Sequence, residues 1–455
     1  MYNNFFNFIS NCKSNRINEA NLPSFQFCTD SRNIIKNSWF IALKGANFDG
    51  HDFCQMAIDN GIKGLIINDN FDIQTLKNTN NLSIIQVQNT LKTYQEIANY
   101  YRKHLKNKTK FIAITGSNGK TTTKEILYLV LKQKYKTQCS LSNENNEIGV
   151  PKNILNINEN TQIFIAECGM RGLNQIQELV EIIEPDYTAI TNIGNSHIGI
   201  LGSREKIAQA KSEIFRFAPA DSLAFIPANE DLLEKWTNLE NNNKKINIKY
   251  FDFSKVQNIE FKNNFLYFTY HNYQFSLASS NLTTIYNACL VIEIALELNL
   301  NYTEIQKGLA EYKPSSGRGA LIELKSGVQI IDETYNASPD SVVALAKSLN
   351  YLGKNKQKVL ILGEIAELGS SGEELLISMQ ADLLKNLDHI ILIGKGNYNL
   401  AKNLDQKAHY FNEKKEALDF LKENNYLNEN YLLGFKASRI SKLEEMINDL
   451  QKILS

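Results

Sequence analysis

Between an apolar run, Phe111–Thr115, and a helical pattern, Thr121–Lys132, the chain carries Thr115-Gly116-Ser117-Asn118-Gly119-Lys120-Thr121-Thr122. A short strand, a glycine turn and a helix in that order open a nucleotide-binding α/β unit. The turn aims backbone N–H groups at a phosphate, and the helix dipole adds positive potential there. In such a loop Lys120 bridges the β- and γ-phosphates, and the Thr121 hydroxyl ligates Mg²⁺. The spacing is Gly-x-x-Gly-Lys-Thr; the longer P-loop pattern asks for glycine at position 114, which is Ile. Alone, Gly-Lys-Thr also occurs on plain surface turns, and the flanking strand and helix favour the nucleotide site.

The alternation continues on both sides of this loop. Upstream, short apolar runs Ser38–Leu43, Gly64–Ile67 and Ile84–Val87 surround a helical pattern His51–Asn60, and Tyr94–Leu105 reads as a helix. The polar Lys106–Lys110 segment reads as a linker. Downstream, strands are expected at Ile163–Glu167, Thr188–Ile193 and Leu223–Ile226, with helices at Leu173–Ile183 and Ser203–Phe217. Asn241–Lys245 reads as a loop, Ile259–Leu277 as antiparallel strands, and Thr283–Leu298 as a helix. After Pro314-Ser315-Ser316-Gly317-Arg318-Gly319 the pattern resumes, with strands at Val328–Asp332, Lys358–Leu362 and His389–Ile393 and helices at Ser341–Leu349 and Gly372–Leu384. Strands alternating with helices imply mostly parallel sheets. With 455 residues, the expected division is three α/β domains, 1–107, 108–313 and 314–455.

Charge and composition narrow the function classes. Lys plus Arg and Asp plus Glu both number 49, for zero formal net charge. A polybasic field for nucleic acid or anionic lipid is therefore not expected. No stretch reaches about 18 uninterrupted apolar residues, so no membrane insertion is expected. The six cysteines (Cys12, Cys28, Cys54, Cys139, Cys168, Cys289) lack metal-ligand spacing and read as reduced thiols of a cytoplasmic chain. Asn is abundant throughout, so its turn signal is discounted here in favour of Gly and Pro.

Other residues gain meaning from this frame. Glu167 ends a strand where ligands bind in open α/β sheets, and a carboxylate there suits a hard cation. His197 lies on a loop after a strand, and Lys211 lies in a helix; by themselves a structural histidine and a solvated lysine explain both. Asp332-Glu333-Thr334-Tyr335-Asn336-Ala337-Ser338-Pro339-Asp340-Ser341 could read a ribose or base, or could in part simply cap the next helix.

Together these segments resemble the Mur ligase family over essentially the whole chain. Within it they are similar to the branch that joins D-alanyl-D-alanine to UDP-N-acetylmuramoyl-tripeptide in peptidoglycan synthesis. Thr115–Thr122 resembles the ATP loop that Mur ligases share with folylpolyglutamate synthetases. Asn143–Pro151 and Asp332–Ser341 are closer to the one branch, as are Thr29-Asp30-Ser31-Arg32, Gly45–Asp52, Gly363–Gly369 and Lys436–Arg439. The resemblance implies a central P-loop parallel-sheet ATP-binding domain, a C-terminal Rossmann-like domain, and a monomer using ATP and Mg²⁺.

It also implies roles. Ser31, Arg32, Gly45 and His51 would lie near the UDP-sugar, and Asn145 and Asn146 would meet substrate. Thr115, Gly116, Ser117, Asn118, Gly119, Lys120, Thr121 and Thr122 would cradle phosphate, with Asn287, Arg318, Asp332, Tyr335 and Asn336 flanking the nucleotide. Thr121 and Glu167 would hold one Mg²⁺, His197 would help hold a second, and Lys211 matches a lysine that the family carbamylates; Lys120, His197 and Lys211 would be the catalytic set. Departures from the pattern are Glu333 for Asp, Ser338 for Asn, Thr283-Thr284 for His-Asn, and Ala437 and Ser142 for Gly. Rival readings are another amide ligase such as a folylpolyglutamate synthetase, an inactive binding protein of the same fold, and a P-loop kinase.

Overall fold

The computed structural model describes residues 12–18, 23–141, 143–237 and 246–454. The expected Asn241–Lys245 loop and Ser142 lie outside them. Four sheets follow one another along the chain. The first orders its strands Cys12–Arg16, Ser83–Val87, Gly64–Asn68, Trp39–Ile41 and Phe27–Cys28; only the Cys12–Arg16 edge is antiparallel.

The central sheet is wholly parallel, in the order Asn247–Phe251, Leu223–Pro227, Tyr187–Ile190, Lys110–Thr115, Ile163–Glu167, Thr137–Cys139. Its middle strands are buried on both faces, so they read as unbroken apolar runs instead of alternating ones. Lys110–Thr115 has Ile163–Glu167 on one side and Tyr187–Ile190 on the other. The sheet therefore grows in opposite directions from it, and ligands bind at the carboxyl ends of strands at such a switch point. The glycine loop sits at that end.

An antiparallel sheet, Gln257–Lys262, Phe265–Tyr270 and Tyr273–Ala278, alternates as period two demands. Its buried Leu266, Phe268, Tyr270, Phe275 and Leu277 pack in one cluster with the apolar helix Thr283–Glu297. The fourth sheet orders Ala320–Glu323, Gln329–Glu333, Tyr431–Lys436, Gln357–Leu362, His389–Ile393 and Ala408–Phe411, all parallel except the first.

Two expectations are corrected. Lys106–Lys110 is not a free linker. The helix Thr90–Leu105, capped by Asn89 Oδ1 on the Lys92 N–H at 2.9 Å, runs to within a few residues of the central strand. Its Tyr94 and Ile97 belong to the core of the first sheet, while Ala98, Tyr101 and Leu105 belong to the central core. Arg102, almost fully buried, donates through Nε to the Ile183 carbonyl at 2.6 Å and also bonds the Glu184 carbonyl. It thereby satisfies the carbonyl end of helix Gln175–Ile183. The expected helix Gly372–Leu384 is two helices, Gly372–Ser378 and Gln380–Asn386. The Ser378 hydroxyl takes the Leu375 carbonyl at 2.7 Å, a local bond that competes with the helical ladder.

Candidate active site

The loop Gly116–Gly119 has two positions that only glycine fits. At Gly116, φ is +150° and a Cβ would fall 1.8 Å from Thr191 Oγ1; at Gly119, φ is +80° and a Cβ would fall 2.5 Å from Asn287 Oδ1. The loop's shape is fixed by neighbours on both sides. The Asn118 N–H donates to Asn192 Oδ1 at 3.0 Å, and Ser117 Oγ accepts from the Gly194 N–H at 2.8 Å. Thr115 is spent inside the sheet, donating to the Cys168 carbonyl at 2.8 Å. Thr122 lines the cavity described below. Lys120 Nζ turns back onto the Gly116 carbonyl at 2.7 Å, so the ammonium sits over the loop itself. Burial, against the pull of Glu167 and with help from Arg318, sets this amine below the ordinary lysine value.

Glu167 is the charge centre of the loop's floor. Oε2 accepts from the Thr121 hydroxyl at 2.9 Å, Oε1 accepts from Asn145 Nδ2 at 2.9 Å, and Lys124 Nζ stands 3.7 Å from Oε2. Burial pushes this carboxyl up, but Lys120, Lys124 and the two hydrogen bonds outweigh it and hold it below the usual carboxylate range. Asn145 therefore supports Glu167. Asn146 accepts from the Gly149 N–H at 2.9 Å, in the turn just before the helix Gly149–Leu155.

The carboxyl edges of the central and C-terminal sheets face each other across a cavity of about 580 Å³. Asn118, Gly119 and Asn287 line one wall; Arg318, Tyr335 and Asn336 line the other. The Arg318 guanidinium lies 3.9 Å from the centroid of the Tyr335 ring, a cation–π stack that leaves its edge for anions. The Tyr335 hydroxyl reaches across to Asn143 Oδ1. Asp332 lies behind the wall. Its oxygens accept from the Gly317 N–H at 2.8 Å and the Thr334 hydroxyl at 2.6 Å, so it holds the Arg318 turn in shape.

Lys211 is buried in the helix Arg204–Arg216, and no carboxylate lies within ion-pair distance of it among the described residues. Burial, with Lys120 adding to it, drives its amine well below the ordinary lysine value. His197 pairs through Nδ1 with Glu367 Oε2 at 2.6 Å. Burial pulls its pKa down from the ordinary histidine value; Glu367 opposes this, while Lys211 and Lys120 add to it.

The four N-terminal candidates lie away from the cavity. Arg32 is exposed and paired with Asp30 at 2.8 Å, and Ser31 is buried. His51 uses both ring nitrogens, on Asp49 at 2.6 Å and on the Asn68 N–H at 2.9 Å, so it shapes the turn that begins at Gly45. Sequence reasoning missed Lys124, which lies one helical turn beyond Lys120 on the same face and could have been found by that spacing. It also missed the pair Lys436 Nζ–Glu333 Oε2 at 3.1 Å, with Asn281 Nδ2 donating to Glu333 Oε1 at 2.7 Å. Glu333, the acidic departure from the family pattern, is thus bonded from both sides.

Three family models match the chain: "Mur ligase family, catalytic domain" at residues 27–102, "Mur ligase middle domain" at 114–295 and "Mur ligase, glutamate ligase domain" at 317–433. A Bacillus subtilis (strain 168) protein named UDP-N-acetylmuramoyl-tripeptide--D-alanyl-D-alanine ligase is 34% identical over 93% of this chain and 92% of its own length. A crystal structure of MurF from Acinetobacter baumannii superposes with a TM-score of 0.83 at 29% identity, covering 94% of this chain and 93% of that one. The MurF ligase of Thermotoga maritima, crystallised with ADP, gives 0.82 at 25% identity, covering 96% and 99%. Among the described residues, no helix is long and apolar enough to cross a membrane.

Proposed function

The chain belongs to the Mur ligase family, and from that premise we propose how its residues make the amide bond. Its reaction is the ATP-dependent joining of D-alanyl-D-alanine to UDP-N-acetylmuramoyl-tripeptide, a step of peptidoglycan synthesis. One observation carries the residue assignment. Lys120 and the Thr121–Glu167 pair stand at the switch point of the central sheet, and Arg318 and Tyr335 face them from the other domain.

A carboxylate is a poor acyl donor. The tripeptide's terminal carboxylate attacks the γ-phosphorus of ATP, ADP leaves, and an acyl phosphate remains. The D-alanyl-D-alanine amine then attacks the acyl carbon, loses a proton, and expels phosphate as the amide forms. Both partners of the first step are anions, so cations must offset their repulsion. Lys120 swings from the Gly116 carbonyl onto phosphate oxygens, and Arg318 lends its guanidinium edge. Closure of the two sheet edges excludes water from the acyl phosphate.

Thr121 and Glu167 offer hard oxygen donors 2.9 Å apart, which fits Mg²⁺. Among the described residues no cluster of three His, Cys, Asp or Glu forms by itself, so nucleotide phosphate would complete the shell. Bound there, Mg²⁺ supplies charge neutralisation to the transferring phosphoryl group. His197 and Lys211 would serve a second ion. The buried, weakly basic Lys211 amine supports carbamylation, in which the neutral amine adds CO₂ and loses a proton to become an anionic carbamate.

We place the domain boundaries after residues 107 and 313. The cavity draws its walls from two domains of one chain, which supports action as a monomer. The free, mostly buried cysteines support a reducing, cytoplasmic setting. The deciding assay is ADP release with UDP-N-acetylmuramoyl-tripeptide, with and without D-alanyl-D-alanine, and with a folate and glutamate in place of both. Turnover that requires both cell-wall substrates is expected; turnover with folate and glutamate instead would overturn the reading in favour of the folate ligases.

A further inference from the structure

We propose that Glu367 is a positioning residue: reaching over from the C-terminal domain, it holds His197 in the tautomer that leaves Nε2 bare toward the catalytic centre. The inference rests on the ligase reading for the meaning of that centre, and on geometry for the rest. His197 Nδ1 and Glu367 Oε2 are 2.6 Å apart. A carboxylate only accepts, so the bridging proton belongs to Nδ1 and the lone pair to Nε2. A free neutral imidazole prefers the opposite arrangement. The partner therefore decides which nitrogen keeps the lone pair, in a ring that both Lys120 and Lys211 act on electrostatically.

The backbone is arranged for this contact. Among the described residues only five that are neither Gly nor Asn adopt positive φ: Glu184, His197, His271, Glu367 and Lys442. Two of the five, His197 at +65° and Glu367 at +60°, are bonded to each other across the domain interface. Such conformations persist where surrounding structure enforces them, and they gather at working sites. Here the enforcement is visible. The Gly199 N–H donates to the Glu367 carbonyl at 2.9 Å, and a Cβ on Gly199 would lie 2.5 Å from that oxygen and from Gly369 N. The two loops meet backbone to backbone, at a distance no side chain permits. Docking of the C-terminal domain and presentation of His197 Nε2 are thus one event.

The test is ¹⁵N NMR of histidine-labelled enzyme without metal or nucleotide, paired with Mg²⁺ titration of ADP release. In the wild type, Nδ1 should carry the proton. Glu367→Ala should move it to Nε2 and raise the Mg²⁺ needed for half-maximal rate about tenfold, the usual scale for losing a partner of a ligating histidine. Glu367→Gln, which keeps an acceptor oxygen, should retain the wild-type tautomer and most of the Mg²⁺ response. An unchanged tautomer in Glu367→Ala overturns the proposal, as does equal loss in both variants. Should Glu367→Ala fail to fold, the wild-type spectrum decides, because a proton on Nε2 there refutes it. The spectra need no substrate, so a failure of the ligase assay would leave the tautomer result standing.

Discussion

Lys124 Nζ stands 3.7 Å from Glu167 Oε2 with both side chains buried, and the same ammonium donates to the Ser140 carbonyl at 2.8 Å. The pair places buried charges of both signs beneath the glycine loop. Removing one member of a buried pair leaves the other uncompensated, at a cost of several kcal/mol. Lys120, Thr121 and Asn145 still attend Glu167, so Lys124→Met should cost about 3 kcal/mol, the low end of that range. Urea unfolding measures it, and adding Glu167→Gln should recover part of the loss. No change in midpoint for the single variant would show that the pair is electrostatically idle.

Lys120 makes no contact that the fold depends on. Its hydrogen bonds go to the carbonyls of Gly116 and Ser117 in its own loop. Lys120→Ala should keep the wild-type circular dichroism spectrum and thermal midpoint, yet lose about 10²–10³-fold in kcat, as removal of a charge-stabilising donor does. Near-normal turnover at saturating ATP would remove it from the reaction.

Glu167→Gln preserves bulk while deleting the charge, and its single amide oxygen can accept from only one of Thr121 and Asn145. The variant should need about tenfold more Mg²⁺ for the same rate of ADP release. A superimposable Mg²⁺ curve would mean the carboxylate serves only Lys124.

Lys211 makes a stability prediction whose sign can be worked out. The unfolded chain keeps this lysine protonated up to about 10.5, whereas the folded chain releases the proton at lower pH. Between those two values the unfolded state binds more protons, so stability rises with pH across the window and falls as pH drops through it. Lys211→Met should remove this slope in denaturation curves taken through the alkaline range; identical slopes would mean the amine is not depressed. Lys211→Ala should be nearly inactive, and acetate or formate should restore part of its turnover without raising that of the wild type. Dead enzyme without rescue would favour a plain structural role over the carbamate.

Arg102, on the helix Thr90–Leu105, ties that helix to the end of the helix Gln175–Ile183. Arg102→Met should leave the helix-end carbonyls of Ile183 and Glu184 without a partner and cost about 1–3 kcal/mol. A lowered thermal midpoint with a normal KM for ATP is the expected result. An unshifted midpoint would show that water replaces the guanidinium at no cost.

The phosphate side of the site was legible because its chemistry is local. Strand, glycine turn, Lys120 and Thr121 are contiguous, and Glu167 takes its weight from its strand-end position together with that preceding loop. The opposite wall was legible as a segment, Asp332–Ser341, but its division of labour was not. Which side chain faces the cavity and which holds the turn depends on pairings such as Asp332 with Gly317, fifteen residues apart. His51 and Asn146 each have a partner within the chain, the Asn68 N–H and the Gly149 N–H, that only folding reveals. The Asn signal was discounted too far. Ten of the fifteen non-glycine residues with positive φ among the described residues are Asn, as its tolerance of that conformation predicts. Expected strands that sat in continuous apolar runs were found, while short edge strands such as Thr137–Cys139, with little apolar surface, left no pattern to find.

The helix Thr90–Leu105 gives one side to the first sheet and the other to the central core, and this fixes the order in which the chain can mature on the ribosome. Its Ala98, Tyr101 and Leu105 emerge well before Ile176, Leu179, Val180 and Ile183, the residues of the next domain that share their core. During that interval the opening domain carries a bare apolar flank. That flank is covered only once residues 176–183 have been made, and until then it is the kind of exposed apolar surface through which nascent chains associate.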